Sequence, residues 1–369
     1  MKEKKKIWID IEEPKTGIMF KSLIANFQSL NTKLLITARD YDATFNILDD
    51  LNIKYHKIGK HGGEKLEDKL NEYIIRLEQL FPLVSKFKPD YFVTFSSVEG
   101  ARISYGLNIP SIGYNDEPRN KHVCKLIFPY LDNIITPSCV PIQDYVKLGA
   151  QHEQLLRYNG IDEIAWLSDY VPNQYILEKF DLDKGEYIIM RSEPSFASYF
   201  IEQLPAEETL ISRFFPKIYD LYPDFKYILL VRTQKQENFL KSKLKDFRND
   251  KKIIISRYMP SMVDLCFFAR LVISGGGTIV RESSLLNVPS IEFFPGDTAP
   301  QEKFLIENGF PLYHIKDIEL IIHKSKEILS KSLGPNRFNN SFKNKINEFE
   351  NPNTLCFNIV KEHLWSNSD

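Results

Sequence analysis

The chain has 369 residues, 43% of them hydrophobic and 26% charged, and its 48 basic and 49 acidic side chains leave a formal net charge of −1. This length predicts two domains with separate cores, and the composition is that of a folded globular protein rather than a disordered one. The balanced charge gives no electrostatic case for nucleic acid, and no apolar run reaches the roughly 18 residues of a membrane span.

The N-terminus is basic, but Ile7-Trp8-Ile9 meets Asp10 before a secretory core can form, so a cytoplasmic protein is expected. Peripheral membrane contact through Phe, Tyr or Trp side chains stays open. Short apolar runs then alternate with amphipathic ones. Strands are expected at Ile7–Ile11, Lys33–Thr37, Lys54–Ile58, Tyr91–Phe95, Ser111–Tyr114 and Asn133–Thr136. Helices are expected at Ile18–Leu30, Tyr41–Leu51, Glu64–Phe87, Val98–Leu107, Lys121–Leu131 and Pro141–Leu148. Turn signals from Tyr158 to Gly185 break the rhythm. A second series follows, with strands at Tyr187–Met190, Tyr227–Val231, Ile253–Ser256, Leu271–Ile273 and Ser290–Phe294. Its helices are expected at Glu208–Leu221, Glu237–Phe247, Met262–Arg270, Ile279–Leu286, Gln301–Asn308 and Ile318–Lys331. Leu355–Trp365 closes the chain as a helix.

Strand alternating with helix implies parallel pairing, hence α/β architecture with two Rossmann-like doubly wound domains facing across a cleft. The expected division is 1–165 for an acceptor domain, 166–185 for a linker, 186–350 for a nucleotide-sugar domain, and 351–369 for a terminal helix packing back on the first domain. In such sheets ligands bind beyond the carboxyl ends of the strands, so the residues there carry the functional reading.

In the first half these residues include Arg39-Asp40, His61-Gly62-Gly63, Ser96-Ser97 and Asn115-Asp116-Glu117. Asp116, Glu117 or His61 could act as a general base if burial tuned its pKa; a solvated turn is the plain alternative for each. In the second half three strands run into arginine: Arg191, Arg232 and Arg257. Guanidinium groups there would neutralise a diphosphate leaving group.

The most specific stretch is Ser274-Gly275-Gly276-Gly277-Thr278, between an apolar strand and a helix in which Glu282 falls in the second turn. Glycines let the backbone turn and approach a ligand, Thr278 is expected to cap the helix, and the free N–H groups of its first turn form an anion site. Glu282 would accept bonds from ribose hydroxyls. Asp297 and Thr298, on the next strand-to-helix loop, would hold the sugar. The four cysteines are scattered without a Cys-x-x-Cys spacing and read as reduced core residues. No metal-ligand spacing, nucleophile elbow or Walker loop occurs in the sequence, so the expected chemistry requires neither metal nor cofactor.

These features resemble the GT-B superfamily, and more narrowly the non-hydrolysing UDP-N-acetylglucosamine 2-epimerases and an uncharacterised prokaryotic family close to them. Thr37-Ala38-Arg39-Asp40-Tyr41, Ile58–Gly63, Ser274–Glu282 and Tyr158-Asn159-Gly160 carry the resemblance. It implies that Ser274, Gly275, Gly276 and Glu282 bind the nucleotide, that Asp297-Thr298 suits the sugar or its diphosphate, and that Asp116 or Glu117 replaces an epimerase carboxylate. Where epimerases carry His-Arg-x-Glu-Asn, this chain reads Arg191-Ser-Glu193-Pro-Ser-Phe196 without a histidine. The expected function is therefore metal-independent glycosyl transfer from a nucleotide-diphosphate sugar, UDP-linked by the resemblance, to a glycan, lipid or small-molecule acceptor. The alternatives are a nucleotide-sugar 2-epimerase or hydrolase, and a non-catalytic nucleotide-sugar-binding protein. Phe-rich helix surfaces would permit a homodimer.

Overall fold

Runs such as Ile7–Ile11 and Leu271–Ile273 are buried along their whole length, which a strand achieves only in a parallel sheet covered on both faces. The computed structural model describes residues 4–63, 65–193, 208–247, 250–334 and 337–365. Glu64, the expected first residue of a helix, and Pro194–Phe196 lie outside these residues.

The chain divides into two units, Met1–Ser168 with Phe349–Asp369, and Asp169–Glu348. The first unit's sheet comprises β1 (Lys6–Ile11), β2 (Lys33–Asp40), β3 (His56–Lys60), β4 (Tyr91–Phe95), β5 (Ser111–Tyr114), β6 (Asn133–Pro137) and β7 (Leu155–Tyr158). Their order is β3-β2-β1-β4-β5-β6-β7 and all pairs are parallel. The second unit holds β8 (Tyr187–Arg191), β9 (Lys226–Leu230), β10 (Ile253–Ser256), β11 (Leu271–Ser274), β12 (Ser290–Glu292) and β13 (Leu312–His314). Their order is β10-β9-β8-β11-β12-β13, again parallel. The strand order reverses between β1 and β4 in one sheet and between β8 and β11 in the other. Those are the two places where a doubly wound sheet opens a crevice beyond its strand ends.

Two strands were not expected from the sequence, β7 and β13, and both are short edge strands with polar residues in their runs. Strand β2 runs on through Arg39 and Asp40, so these belong to the strand rather than to the loop after it. The segment after Tyr158 contains short helices at Ile164–Leu167 and Tyr175–Lys179.

The terminal helix, Pro352–Trp365, packs in the first unit on the helix Pro14–Ser29. Phe357 meets Phe27 with ring centroids 5.7 Å apart, and Cys356, Val360 and Leu364 join the core under β1 and β4. Full burial of such side chains stabilises by about 1.5–3 kcal/mol each for those of Val or Leu size. The cysteines are free, with Cys124, Cys266 and Cys356 buried.

Candidate functional site

In the second unit, β11 delivers Ser274 and the three glycines to the switch point beside Arg191 at the end of β8. The Gly275 N–H donates to the Arg191 carbonyl at 3.1 Å. The helix that follows spans Gly277–Leu285, and its N-cap is Gly276 in extended conformation, not Thr278, which sits one residue inside. Ser274 closes the turn: its hydroxyl accepts the Gly276 N–H at 3.1 Å and donates to the Gly276 carbonyl at 3.0 Å.

None of these three glycines has a positive φ. They are there for space. A Cβ on Gly275 would lie 2.7 Å from the Glu193 backbone. On Gly276 it would lie 2.6 Å from Arg232 Nη2, and on Gly277 it would lie 2.5 Å from Glu302 Oε1. The close approach expected of this turn is thus made, in part, by the chain's own groups. The Glu302 carboxylate, ion-paired to Arg281 at 3.1 Å, covers the Gly277 face. The guanidinium of Arg232 stands over Gly276.

That guanidinium is braced. Arg232 Nε donates to the Ser192 carbonyl at 3.1 Å, while its backbone N–H donates to Gln236 Oε1 at 3.0 Å. Gln236, fully buried, also accepts from the Ser192 hydroxyl and donates to the Glu193 carbonyl. Gln236 lies in the first turn of the helix Gln234–Lys243, and Gln236-Glu237-Asn238 resembles the ending of the epimerase His-Arg-x-Glu-Asn run, although it follows the second strand of its unit rather than the first.

Arg257 follows β10, three places from β11 in the sheet, or about 14 Å at ordinary strand spacing. It is exposed and pairs with Glu237 at 3.3 Å. Glu282 is buried; burial, and after it the Glu282 charge, pushes the Cys266 thiol up while Arg191 acts the other way. Asp297 is fully exposed, 3.8 Å from Lys316. Thr298 bonds His314 Nδ1, and His314 Nε2 faces the Phe294 carbonyl at 2.7 Å.

In the first unit, Asp116 is nearly buried and salt-bridged to Lys15 at 2.8 Å. The same Lys15 ammonium contacts Asp162 at 2.7 Å and lies 4.6 Å over the Phe95 ring. Asp162 in turn accepts from the Tyr158 hydroxyl. Burial and the nearby Asp116 charge raise the Asp162 carboxyl to about 7, against the pull of Lys15. Glu13 is also pushed up, first by burial. Sequence reasoning missed Lys15 and Asp162. Lys15 lies in the first turn of the helix Pro14–Ser29, just after the acidic pair Glu12-Glu13, and Asp162 lies two residues beyond Asn159-Gly160.

Beneath this cluster Ser96 adopts a left-handed conformation, φ 61°, at the end of β4. Its hydroxyl donates to the Tyr114 carbonyl and accepts from Asn115 Nδ2. Strained non-glycine backbone of this kind gathers at functional sites. The other candidate bases have different surroundings. Glu117 is half-exposed and held by Arg119. His61 follows β3; its Nδ1 accepts the Gly63 N–H at 3.1 Å, its ring lies 4.6 Å from Tyr41, and burial and Arg39 lower its pKa.

A family model described as "Protein of unknown function (DUF354)" matches residues 5–364. The chain belongs to this family. The uncharacterised protein MJ0665 of Methanocaldococcus jannaschii is 27% identical over 364 residues, covering 97% of this chain and 98% of that protein. Among solved structures, the Methanocaldococcus jannaschii UDP-GlcNAc 2-epimerase in complex with UDP-GlcNAc and UDP superposes with a TM-score of 0.68 at 15% identity, over 96% of this chain and 99% of that one. The glycotransferase of kitacinnamycin superposes with a TM-score of 0.60 at 10% identity, over 99% and 100%. The fold of the DUF354 chain is therefore the pair of Rossmann-like parallel-sheet domains of the GT-B class, as the sequence resemblance implied. Among the described residues of this family member, no helix is long and apolar enough to cross a membrane.

Proposed function

We propose that the protein is an enzyme acting on a nucleoside-diphosphate sugar, with glycosyl transfer as its reaction. The observation that carries this reading is Arg232 standing over Gly276 at the start of a nine-residue helix, at the switch point of the second sheet. A guanidinium and a helix N-terminus side by side favour an anionic group, and both would stabilise negative charge growing on a departing diphosphate. The likeness to structures that hold UDP and UDP-GlcNAc supports the same ligand class.

In this reading Ser274, Gly275, Gly276, Gly277 and Thr278 form the phosphate turn, Arg191 and Arg232 supply positive charge, and Glu282 faces the ribose. Asp297 and Thr298 serve the sugar, and Arg257 is an outlying cation. Asp116 is the base, placed ahead of Glu117 and His61 because a lysine fixes it in a nearly buried site. An acceptor hydroxyl gives its proton to Asp116 as its oxygen bonds the anomeric carbon. The bond from that carbon to the diphosphate oxygen breaks, and the electron pair leaves with the diphosphate. Lys15 holds Asp116 and Asp162 together, and Asp162 near pKa 7 receives or returns a proton at neutral pH.

The pair of carboxyl groups on one ammonium also favours a second reading, a nucleotide-sugar 2-epimerase or hydrolase. In the epimerase one group withdraws the proton from the sugar's C2 and the other returns one to its opposite face. In the hydrolase water gives its proton to the base as its oxygen bonds the anomeric carbon, and the diphosphate leaves with the electron pair of the broken bond. Incubation of the protein with UDP-GlcNAc alone, followed by NMR of the sugar, separates the two. A new epimer or free sugar supports the second reading. Unchanged substrate that reacts only with an added acceptor supports transfer. Binding without turnover across a broad acceptor panel would leave a binding protein.

A further inference from the structure

The switch point of the first sheet is filled by one side chain. Arg76, on the helix Leu66–Phe87, is fully buried at the ends of β1 and β4. Each of its three guanidinium nitrogens donates. Nε donates to the Ile58 carbonyl, Nη1 to Glu12 and Glu99, and Nη2 to both oxygens of Asp10. Asp10 accepts further bonds from Thr37 at 2.5 Å and Ser97 at 2.6 Å. Gly59, with φ +71°, leaves room for the arginine, since a Cβ there would lie 2.8 Å from Arg76 Cγ. Glu12 reaches a second cation, Arg39, at 3.2 Å. Three residues after Glu12, across Glu13 and Pro14, comes Lys15.

We propose that Arg76 is a positioning residue for the Lys15 site: through Glu12 it anchors the loop Glu12–Glu13 and with it the start of the helix Pro14–Ser29, which carries Lys15, and the charge on Glu99 sets how firmly the anchor holds. The inference rests on the function proposed above in giving that loop a catalytic purpose. The anchor itself rests on the geometry alone.

The groups facing Glu99 are Glu12 from the loop after β1, Arg39 from β2, and Arg76 and Tyr73 from the helix Leu66–Phe87, with Asp10 on the far side of Arg76. With all carboxyls ionised, three negative charges surround two guanidinium groups in a buried site. Burial, then the Glu12 charge, raise the Glu99 carboxyl to about 8, while Glu12 is lowered by Arg39 and Arg76 against its own burial. At neutral pH Glu99 therefore holds the proton and bonds Glu12, and the cluster is neutral. Above pH 8 the proton leaves, Glu12 and Glu99 repel, and the loop loosens.

Hydrogen–deuterium exchange on the full chain, corrected for intrinsic rate and run from about pH 6 to about pH 9, tests this in the wild type, Glu99→Gln and Arg76→Lys. The expected result is a severalfold rise in exchange at residues 12–17 as the wild type passes pH 8. That rise should be absent in Glu99→Gln and already present at neutral pH in Arg76→Lys. A wild-type loop whose exchange ignores pH, or a Glu99→Gln loop that still shows the rise, overturns the proposal. Turnover gives the second readout: the alkaline limb of the pH–rate profile should move in Glu99→Gln while substrate KM stays put. Failure of every nucleotide sugar to react would count against the proposed function, and the exchange data would still decide the anchor.

Discussion

Arg232 Nη2 occupies the space that a methyl group on Gly276 would need, at 2.6 Å from the position of its Cβ. The glycine and the arginine therefore form one unit, and the turn is open at Gly276 because a cation fills the opening. Gly276→Ala should push the guanidinium aside without unfolding the protein, since the clash is with the far end of a long side chain. The expected loss of UDP affinity is about tenfold, or about 1.4 kcal/mol. Isothermal titration calorimetry of the variant against the wild type checks it, and Arg232→Ala should show a similar loss.

Lys15→Met should remove the positive charge that Asp116 and Asp162 share. Under the proposed function, turnover should fall about 10²–10⁴-fold, the range for losing a positioned acid–base group. Without the lysine's pull, the Asp162 carboxyl should titrate above about 7. The pH–rate profile of the variant should then shift toward alkaline pH, and NMR titration of the Asp162 side chain checks the direction independently of activity.

The strands were readable because their apolar runs are buried on both faces; β4 and β5 match their expected bounds residue for residue. β7 and β13 were not, since an edge strand such as Leu155–Tyr158, with Arg157 inside it, lacks that signature. The glycine turn was visible, yet its reason was not: no positive φ is involved, so neighbouring groups demand the glycines, and those neighbours come from the segments just after β8 and β9 and from the helix Pro300–Glu307. Arg76 offered a signal in its spacing, because it stands four and eight residues before the buried Leu80 and Val84 on the inward stripe of its helix. An arginine at such a position asks for buried carboxylates, and Asp10, Glu12 and Glu99 are far from it in sequence. Only the fold joins them.

Gly59 and Gly63 separate backbone strain from crowding. Both have positive φ, +71° and +73°, but a Cβ on Gly59 meets Arg76 whereas one on Gly63 meets nothing within 4 Å. Gly63→Ala should destabilise by about 1 kcal/mol through backbone strain alone. Gly59→Ala should cost about 3–5 kcal/mol more, because moving Arg76 breaks buried ion pairs. Urea denaturation of the two variants measures the difference.

Glu99 also predicts a pH dependence of stability. Its pKa in the folded protein, about 8, lies above the ordinary glutamate value of 4.5. The native state then binds the extra proton, so the contribution is fully present below pH 4.5 and is lost as the pH rises to about 8. Glu99→Gln lacks this titration. Its stability relative to the wild type should grow between those two limits and level off above them, as followed by chemical denaturation across the range.

The central claim is that the turn at Gly276, with Arg232 above it, takes the diphosphate of a nucleotide. Calorimetric titration of UDP into the wild type and into Arg232→Ala measures this most directly. The account predicts saturable one-to-one binding by the wild type, weakened at least about tenfold in the variant. Absence of wild-type binding at millimolar UDP, or equal affinity in the two proteins, would contradict it.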